Sequence, residues 1–339
     1  MAGKLRVENT IMRMGTEKII AAGILGLMLF GLVVTSRAAD GPVKVIFDTD
    51  IMGDVDDVGA VAMLHALANR AEVEILAMGV CAKGEDSARC LDVLNTYFGR
   101  PEIVIGVNKG VGFLRDSRYT RQLVEEFPHR LKSSDDAPSA AQLYRKVLAE
   151  QADGSVVMIS VGQLSNLSAL LKTKGDEVSV LNGRDLVKKK IRLWVCMGGK
   201  FPQGKEANIR NDAAAAVDAV KRWPTPVVFS GFEIGVKIPT GGKIKNLPKS
   251  SPVRRAYQLF NGLKTRQSWD QTAVLYGVRG LDGALQKMWD TERGECTINS
   301  DGSNQWQPDP QGRHVILKEK MRPPKVVKVI DELMMELPK

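Results

Sequence analysis

The sequence predicts an α/β protein: a single doubly wound, mostly parallel open sheet with a mainly helical or irregular C-terminal capping lobe. Three observations carry that expectation. Short β-branched runs alternate with longer stretches of helical spacing, the order that builds a sheet with helices on both faces. The runs are apolar almost throughout, as strands covered on both sides must be. No repeat or low-complexity linker breaks the order before about residue 240. Strands are expected at 43–47, 73–80, 103–107, 156–161, 191–197 and 225–231, with helices at 57–69, 86–98, 138–150, 164–173 and 211–222. Beyond residue 240 the pattern loosens. The segment PTGGKIKNLPKSSP reads as a polar loop, 252–263 and 270–279 as helices, 292–313 as irregular, and 323–337 as a terminal helix entered through Pro323 and Pro324. With no second set of apolar strands, this tail is expected to cap the sheet rather than form a domain of its own.

At 339 residues, 44% hydrophobic and 26% charged, the chain has a globular composition that excludes a disordered, collagen-like or coiled-coil protein. Cys81, Cys90, Cys196 and Cys296 are too few and too dispersed for a disulfide scaffold, and none forms a CxxC pair, although a Cys81–Cys90 bridge stays open. Of three histidines, His65 reads as a buried structural residue, and His129 and His314 as exposed ones. A metal, if held, must be held by oxygen. The net charge of +9 comes partly from Lys4, Arg6, Arg13, Lys18 and Arg37. The other bases are scattered without interleaved aromatics, so no nucleic-acid partner is expected.

The uncharged run Ile19–Val34 follows basic residues and precedes the small residues Ala38 and Ala39. It is shorter than the roughly 20 residues of a membrane span and reads as the apolar core of a signal peptide. Residues 1–38 are thus expected to be a signal peptide or N-terminal membrane anchor, and 40–339 one domain. The protein is expected to be exported to the periplasm or secreted, with membrane association only if the segment stays uncleaved.

The sharpest feature is VIFDTDIMGDVDDVGAVAML. Asp48, Asp50, Asp54, Asp56 and Asp57 fall at the carboxyl end of the first strand and the start of the first helix, the edge where open parallel sheets bind ligands. A helix cap uses one or two aspartates. Five together repel one another unless a cation neutralises them, and hard oxygen ligands suit Ca²⁺ or Mg²⁺. An EF-hand is excluded because Met52 and Gly59 stand where acids belong. A DxD phosphohydrolase of the haloacid-dehalogenase type leaves Asp56 and Asp57 without a task and has Thr or Val where Met52 stands.

The pattern D-x-D-x-x-x-D-x-D-D entering a small-residue helix resembles the calcium-binding signature of the inosine-uridine type nucleoside hydrolases. Three later segments resemble that family in order: SVGQLSNLSALL (160–171), MGGKFPQGKEANIRNDAAAA (197–216) and SWDQTAVLYGV (268–278). The tail resembles exported bacterial members. The resemblance implies a nucleoside hydrolase-like fold and Ca²⁺ held by Asp50, Asp57, Asp270 and the backbone carbonyl of Val161. It implies Asp50 as general base toward the attacking water, Asp56 on the ribose, and Glu206 and Asn208 on the sugar hydroxyls. For Asp48 and Asp54 the resemblance leaves orienting, capping and direct contact all open. The implied reaction is hydrolysis of a ribonucleoside to base and ribose with inversion, through an oxocarbenium-like ribosyl that nearby carboxylates stabilise. Where the family places a histidine before the last metal-ligating aspartate, this chain has Trp269. Its indole can stack on a base, mildly favouring purines, or be a core aromatic. The family also implies a homodimer or homotetramer. The alternative from another class is a periplasmic nucleoside- or ribose-binding protein without turnover.

Overall fold

The computed structural model describes residues 41–280 and 288–339. The Ile19–Val34 run, read as an export signal, lies outside the described residues. The strands are β1 (Val43–Thr49), β2 (Val73–Val80), β3 (Ile105–Val107), β4 (Val156–Ser160), β5 (Ile191–Met197), β6 (Gln203–Lys205), β7 (Val227–Ser230), β8 (Pro239–Thr240), β9 (Arg266–Gln267), β10 (Trp289–Ile298), β11 (Ser303–Pro308) and β12 (His314–Glu319). Ten of them form one sheet in the order β3-β2-β1-β4-β5-β7-β12-β10-β11-β6, while β8 and β9 pair separately. From β3 through β12 the pairing is parallel, and β10, β11 and β6 extend the sheet antiparallel.

The predicted α/β architecture is therefore present, with one regional difference. Residues 292–313, expected to be irregular, supply most of β10 and β11, and the tail lengthens the sheet as well as capping it. Its strands alternate buried and exposed residues, as in WDTERGECTI, and so lack the continuous apolar run of the parallel strands. His314, expected to be exposed, opens β12 fully buried. Its Nδ1 accepts from the Cys296 N–H at 2.9 Å, and burial pushes its pKa down to about 4. His129 is half-buried. His65 is buried as expected, 2.9 Å from Asn95 Oδ1 and stacked on Phe98. The four cysteines are free and buried, so there is no Cys81–Cys90 bridge.

The chain leaves β1 for β2 and β3 on one side and returns to β4 on the other. That reversal opens a crevice at the carboxyl ends of β1 and β4. One core face is covered by the helices Asp56–Asn69, Ser87–Tyr97, Trp269–Arg279 and Pro323–Met334, the other by Ala140–Ala149, Ser165–Lys172 and Ala213–Arg222.

The helix Asp56–Asn69 is apolar and small on nearly every side, as a helix enclosed by neighbours must be. Gly59 sets its closest approach. A Cβ there would overlap Gln271 Nε2 and meet Tyr257 Oη at 2.8 Å. This contact lets the helix Trp269–Arg279 lie close enough to bring Asp270 beside Asp57. Gly59→Val is expected to cost about 1–3 kcal/mol by overpacking, read as a lower denaturant midpoint with unchanged slope, and to weaken divalent-ion binding measured by calorimetry.

Candidate active site

Asp48 turns away from the crevice. Its Oδ2 accepts from Asn166 Nδ2 at 2.8 Å and from the Tyr144 hydroxyl, both on helices of the second face. Burial pushes its pKa up to about 7. Enclosed in this way, it fills an anchoring role and cannot be the nucleophile that a DxD phosphohydrolase needs. Asp54 is also an anchor. Its carboxylate forms a two-pronged ion pair with Arg266, with Nε at 2.9 Å, tying the loop after β1 to β9.

The other aspartates face the crevice. Asp50 accepts from Gln163 Nε2 at 2.6 Å, and burial pushes its pKa up to about 6. Asp57 accepts from the Thr49 hydroxyl, and Asp56 Oδ2 faces the Asp270 N–H at 3.4 Å. Asp56, Asp57 and Asp270 are buried, and each offers an oxygen within 4.8 Å of the others. Burial first, then repulsion from neighbouring carboxylates, Asp54 and Asp50 for Asp56, Asp50 and Asp56 for Asp57, and Asp56 and Asp57 for Asp270, pushes all three well above the usual carboxylate range. Two of these acids open one helix and the third lies in the first turn of another, where the helix dipole favours negative charge by only about 0.3–1 kcal/mol. That is too little to hold three ionised carboxylates out of water. The donor set fits a hard divalent cation, which removes the repulsion and accepts carboxylate and carbonyl oxygens alike. Asp56 thus joins the ligand-forming group as well as facing the sugar position that the resemblance gives it, while Asp50 lines the same cavity beside the trio.

The cavity above these acids holds about 350 Å³. The Val161 carbonyl, just past β4, accepts from Asn208 Nδ2 at 3.2 Å, so the fourth predicted ligand and one predicted sugar contact are directly joined. Asn208 Nδ2 also reaches the Met197 carbonyl at 3.2 Å, which fixes the side chain in the cavity wall. Glu206 caps the short helix Ala207–Arg210: it accepts from the N–H groups of Asn208 at 2.9 Å, Gly199 at 3.2 Å and Ile209 at 3.3 Å. Burial nonetheless raises its pKa to about 7. Trp269 is half-buried in the wall. Its indole N–H donates to the Phe232 carbonyl at 2.9 Å, its ring stacks on Phe232, and the Arg266 guanidinium lies 5.0 Å from its centroid. It therefore offers the cavity an aromatic surface and no free proton donor.

All eight predicted site residues line this one cavity. Gln163, Thr49, Phe232 and Arg266 were not among them. Thr49 sits inside the acidic motif and was legible as a donor, whereas Gln163, Phe232 and Arg266 depend on pairings that spacing does not reveal.

Fold and site define a hydrolase acting on N-glycosyl compounds. The chain belongs to the inosine-uridine preferring nucleoside hydrolase family, which residues 45–334 match. No curated protein sequence matches it. Among solved structures it is similar to a purine-preferring ribonucleoside hydrolase from Gardnerella vaginalis, with TM-score 0.64 and 18% identity over 86% of this chain and 98% of that one. It is similar to an inosine-uridine preferring nucleoside hydrolase from Bacillus anthracis, with TM-score 0.64 and 15% identity over 86% and 99%. The type III effector protein XopQ, complexed with adenosine diphosphate ribose, aligns with TM-score 0.64 and 14% identity over 87% and 94%. At these identities the likeness concerns the fold.

The raised carboxylates fix the sign of a pH effect. They bind more protons in the folded than in the unfolded chain, so stability falls as pH rises from about 4, where unfolded aspartates ionise, through the folded values. The chelator-treated protein is expected to lose melting temperature steadily between about pH 4 and 8. Added calcium should remove most of that fall in a thermal-shift series, and a flat profile without metal would contradict it.

Proposed function

We propose that this protein is a calcium-dependent N-ribohydrolase of nucleosides with purines mildly preferred, acting after export from the cytoplasm. One observation carries the reading: three buried carboxylates with oxygens within 4.8 Å of one another, at the switch point of the sheet beneath an open cavity. Asp57, Asp270, Asp50 and the Val161 carbonyl are the residues assigned to hold Ca²⁺, with Asp56 shared between ion and sugar. When bound, Ca²⁺ orients a water and the sugar diol and lowers the pKa of that water.

The chain's own residues do the rest. Asp50, steadied by Gln163, takes a proton from the water as it attacks the anomeric carbon. Asp56 and the Asn208 amide hold the sugar hydroxyls, and Glu206 shapes that wall through its hold on the helix Ala207–Arg210. The surrounding carboxylates stabilise the positive charge that grows on the ribosyl ring. Trp269 and Phe232 offer an aromatic face to the base, and a two-ring purine covers more of it than a pyrimidine does. Export rests on the Ile19–Val34 segment.

A panel of purine and pyrimidine nucleosides, assayed for reducing sugar with and without chelator, tests the reading. Asp50→Asn is expected to lower kcat by about 10²–10⁴-fold with nucleoside binding retained, whereas Asp57→Ala and Asp270→Ala lose calcium binding and activity together. Trp269→Ala should raise KM for purine nucleosides more than for pyrimidine ones. Nucleoside binding without ribose release in the wild-type protein would instead mark it as a binding protein.

A further inference from the structure

The acids of the cavity lie in its floor, but its mouth is cationic. Arg115, Lys205 and Arg210 all line the cavity and all are exposed. Arg115 comes from the loop after β3 and packs over Gly53, in the loop that follows Asp50. Lys205 ends β6, and Arg210 ends the helix Ala207–Arg210. Lys205 meets Asp301 at 2.9 Å. Arg115 and Arg210 make no side-chain hydrogen bond or ion pair among the described residues. Arg266, the fourth basic residue of the lining, is engaged by Asp54.

The position of these cations matters more than their number. Lys205 immediately precedes Glu206, and Arg210 follows Asn208 by two residues, so both flank the wall assigned to the sugar. A plain nucleoside is neutral at its ribose, and its hydroxyls give exposed cations no charge to meet. A phosphate on C5′ lies one methylene beyond the ring. It carries the charge and the planar oxygen edges that a guanidinium matches with paired hydrogen bonds. A cationic rim above an acidic floor also holds that phosphate away from the carboxylates that would repel it.

Resting on the nucleoside hydrolase reading, we infer that the preferred substrates are 5′-phosphorylated N-ribosides, with Arg210 and Lys205 binding the phosphate at the mouth and Arg115 closing the opposite side. The reaction balances without a further reactant. Water gives its oxygen to C1′ as the C1′–N bond breaks. The bond's electron pair leaves with the base, which takes up a proton, and the products are free base and ribose 5-phosphate. No phosphorus–oxygen bond is cut.

The full-length protein with calcium is assayed on AMP and IMP against adenosine and inosine. Binding of ribose 5-phosphate is compared with that of ribose by calorimetry. The monophosphates are expected to show at least about tenfold higher kcat/KM, and ribose 5-phosphate at least about tenfold tighter binding, both weakening with salt. In the Lys205→Ala/Arg210→Ala double variant the monophosphate-to-nucleoside ratio of kcat/KM should fall about tenfold, with Arg210→Lys retaining part of it. Cleavage of nucleosides with no advantage from phosphate in either measurement overturns the inference and leaves the hydrolase reading standing. Tighter binding of ribose 5-phosphate with no cleavage of any substrate keeps the phosphate site and overturns the hydrolase reading. No preference for ribose 5-phosphate and no cleavage overturns both.

Discussion

Repulsion among carboxylates that have been taken out of water is the constraint on which the site depends. Asp56, Asp57 and Asp270 stand close enough to share one ion, and their surroundings offer few compensating donors: a hydroxyl from Thr49 and one backbone N–H. A sequence free to relieve that repulsion would replace at least one of the three with a neutral residue. The fold instead encloses all three and leaves the cavity above them open. The arrangement makes sense as the receiving half of a complex whose other half is a cation.

The framework separates anchoring acids from working ones, although both kinds occupy one motif. Asp48 is bonded to the second helical face, and Asp54 is bonded to Arg266. Between these two fixed points Asp50 is presented to the cavity with its carboxylate steadied by Gln163. Alternation along the strand sends Asp48 and Thr49 to opposite faces, Asp48 to Tyr144 and Asn166 and Thr49 to Asp57, and past the strand's end the chain presents Asp50 and turns into the helix that carries Asp56 and Asp57. A single run of sequence thereby furnishes the support of the site and part of its chemistry.

The parallel half of the sheet was legible because burial on both faces forces continuous apolar runs such as VVMIS and IRLWVCM. The antiparallel extension was not: β10 and β11 are wetted on one face, so Glu, Arg and Gln interrupt them and imitate loop. The acidic motif was legible from charge density, since five aspartates exceed what capping uses. His314 misled because its polar neighbours, Arg313 and Gln311, mark a turn, while the residue itself begins a buried strand. Gln163 and Arg266 stayed hidden because each acts on an aspartate more than a hundred positions away, and pairings of that range are fixed by topology.

Among the described residues β6 pairs with β11 alone, through Lys205 opposite Ser303 and Gln203 opposite Gln305. The segment that leads into Glu206 is therefore positioned by residues made about a hundred positions later. During synthesis from the amino terminus, the first strand and its aspartates can fold early, but the sugar-facing wall stays unfinished until the last hairpin emerges. Asp270 also arrives late, so the three carboxylates come together only after strands β1 to β5 and β7 have been made, with β10 to β12 still to follow. The order of translation thus separates the making of the acidic motif from the making of its third carboxylate by about two hundred residues.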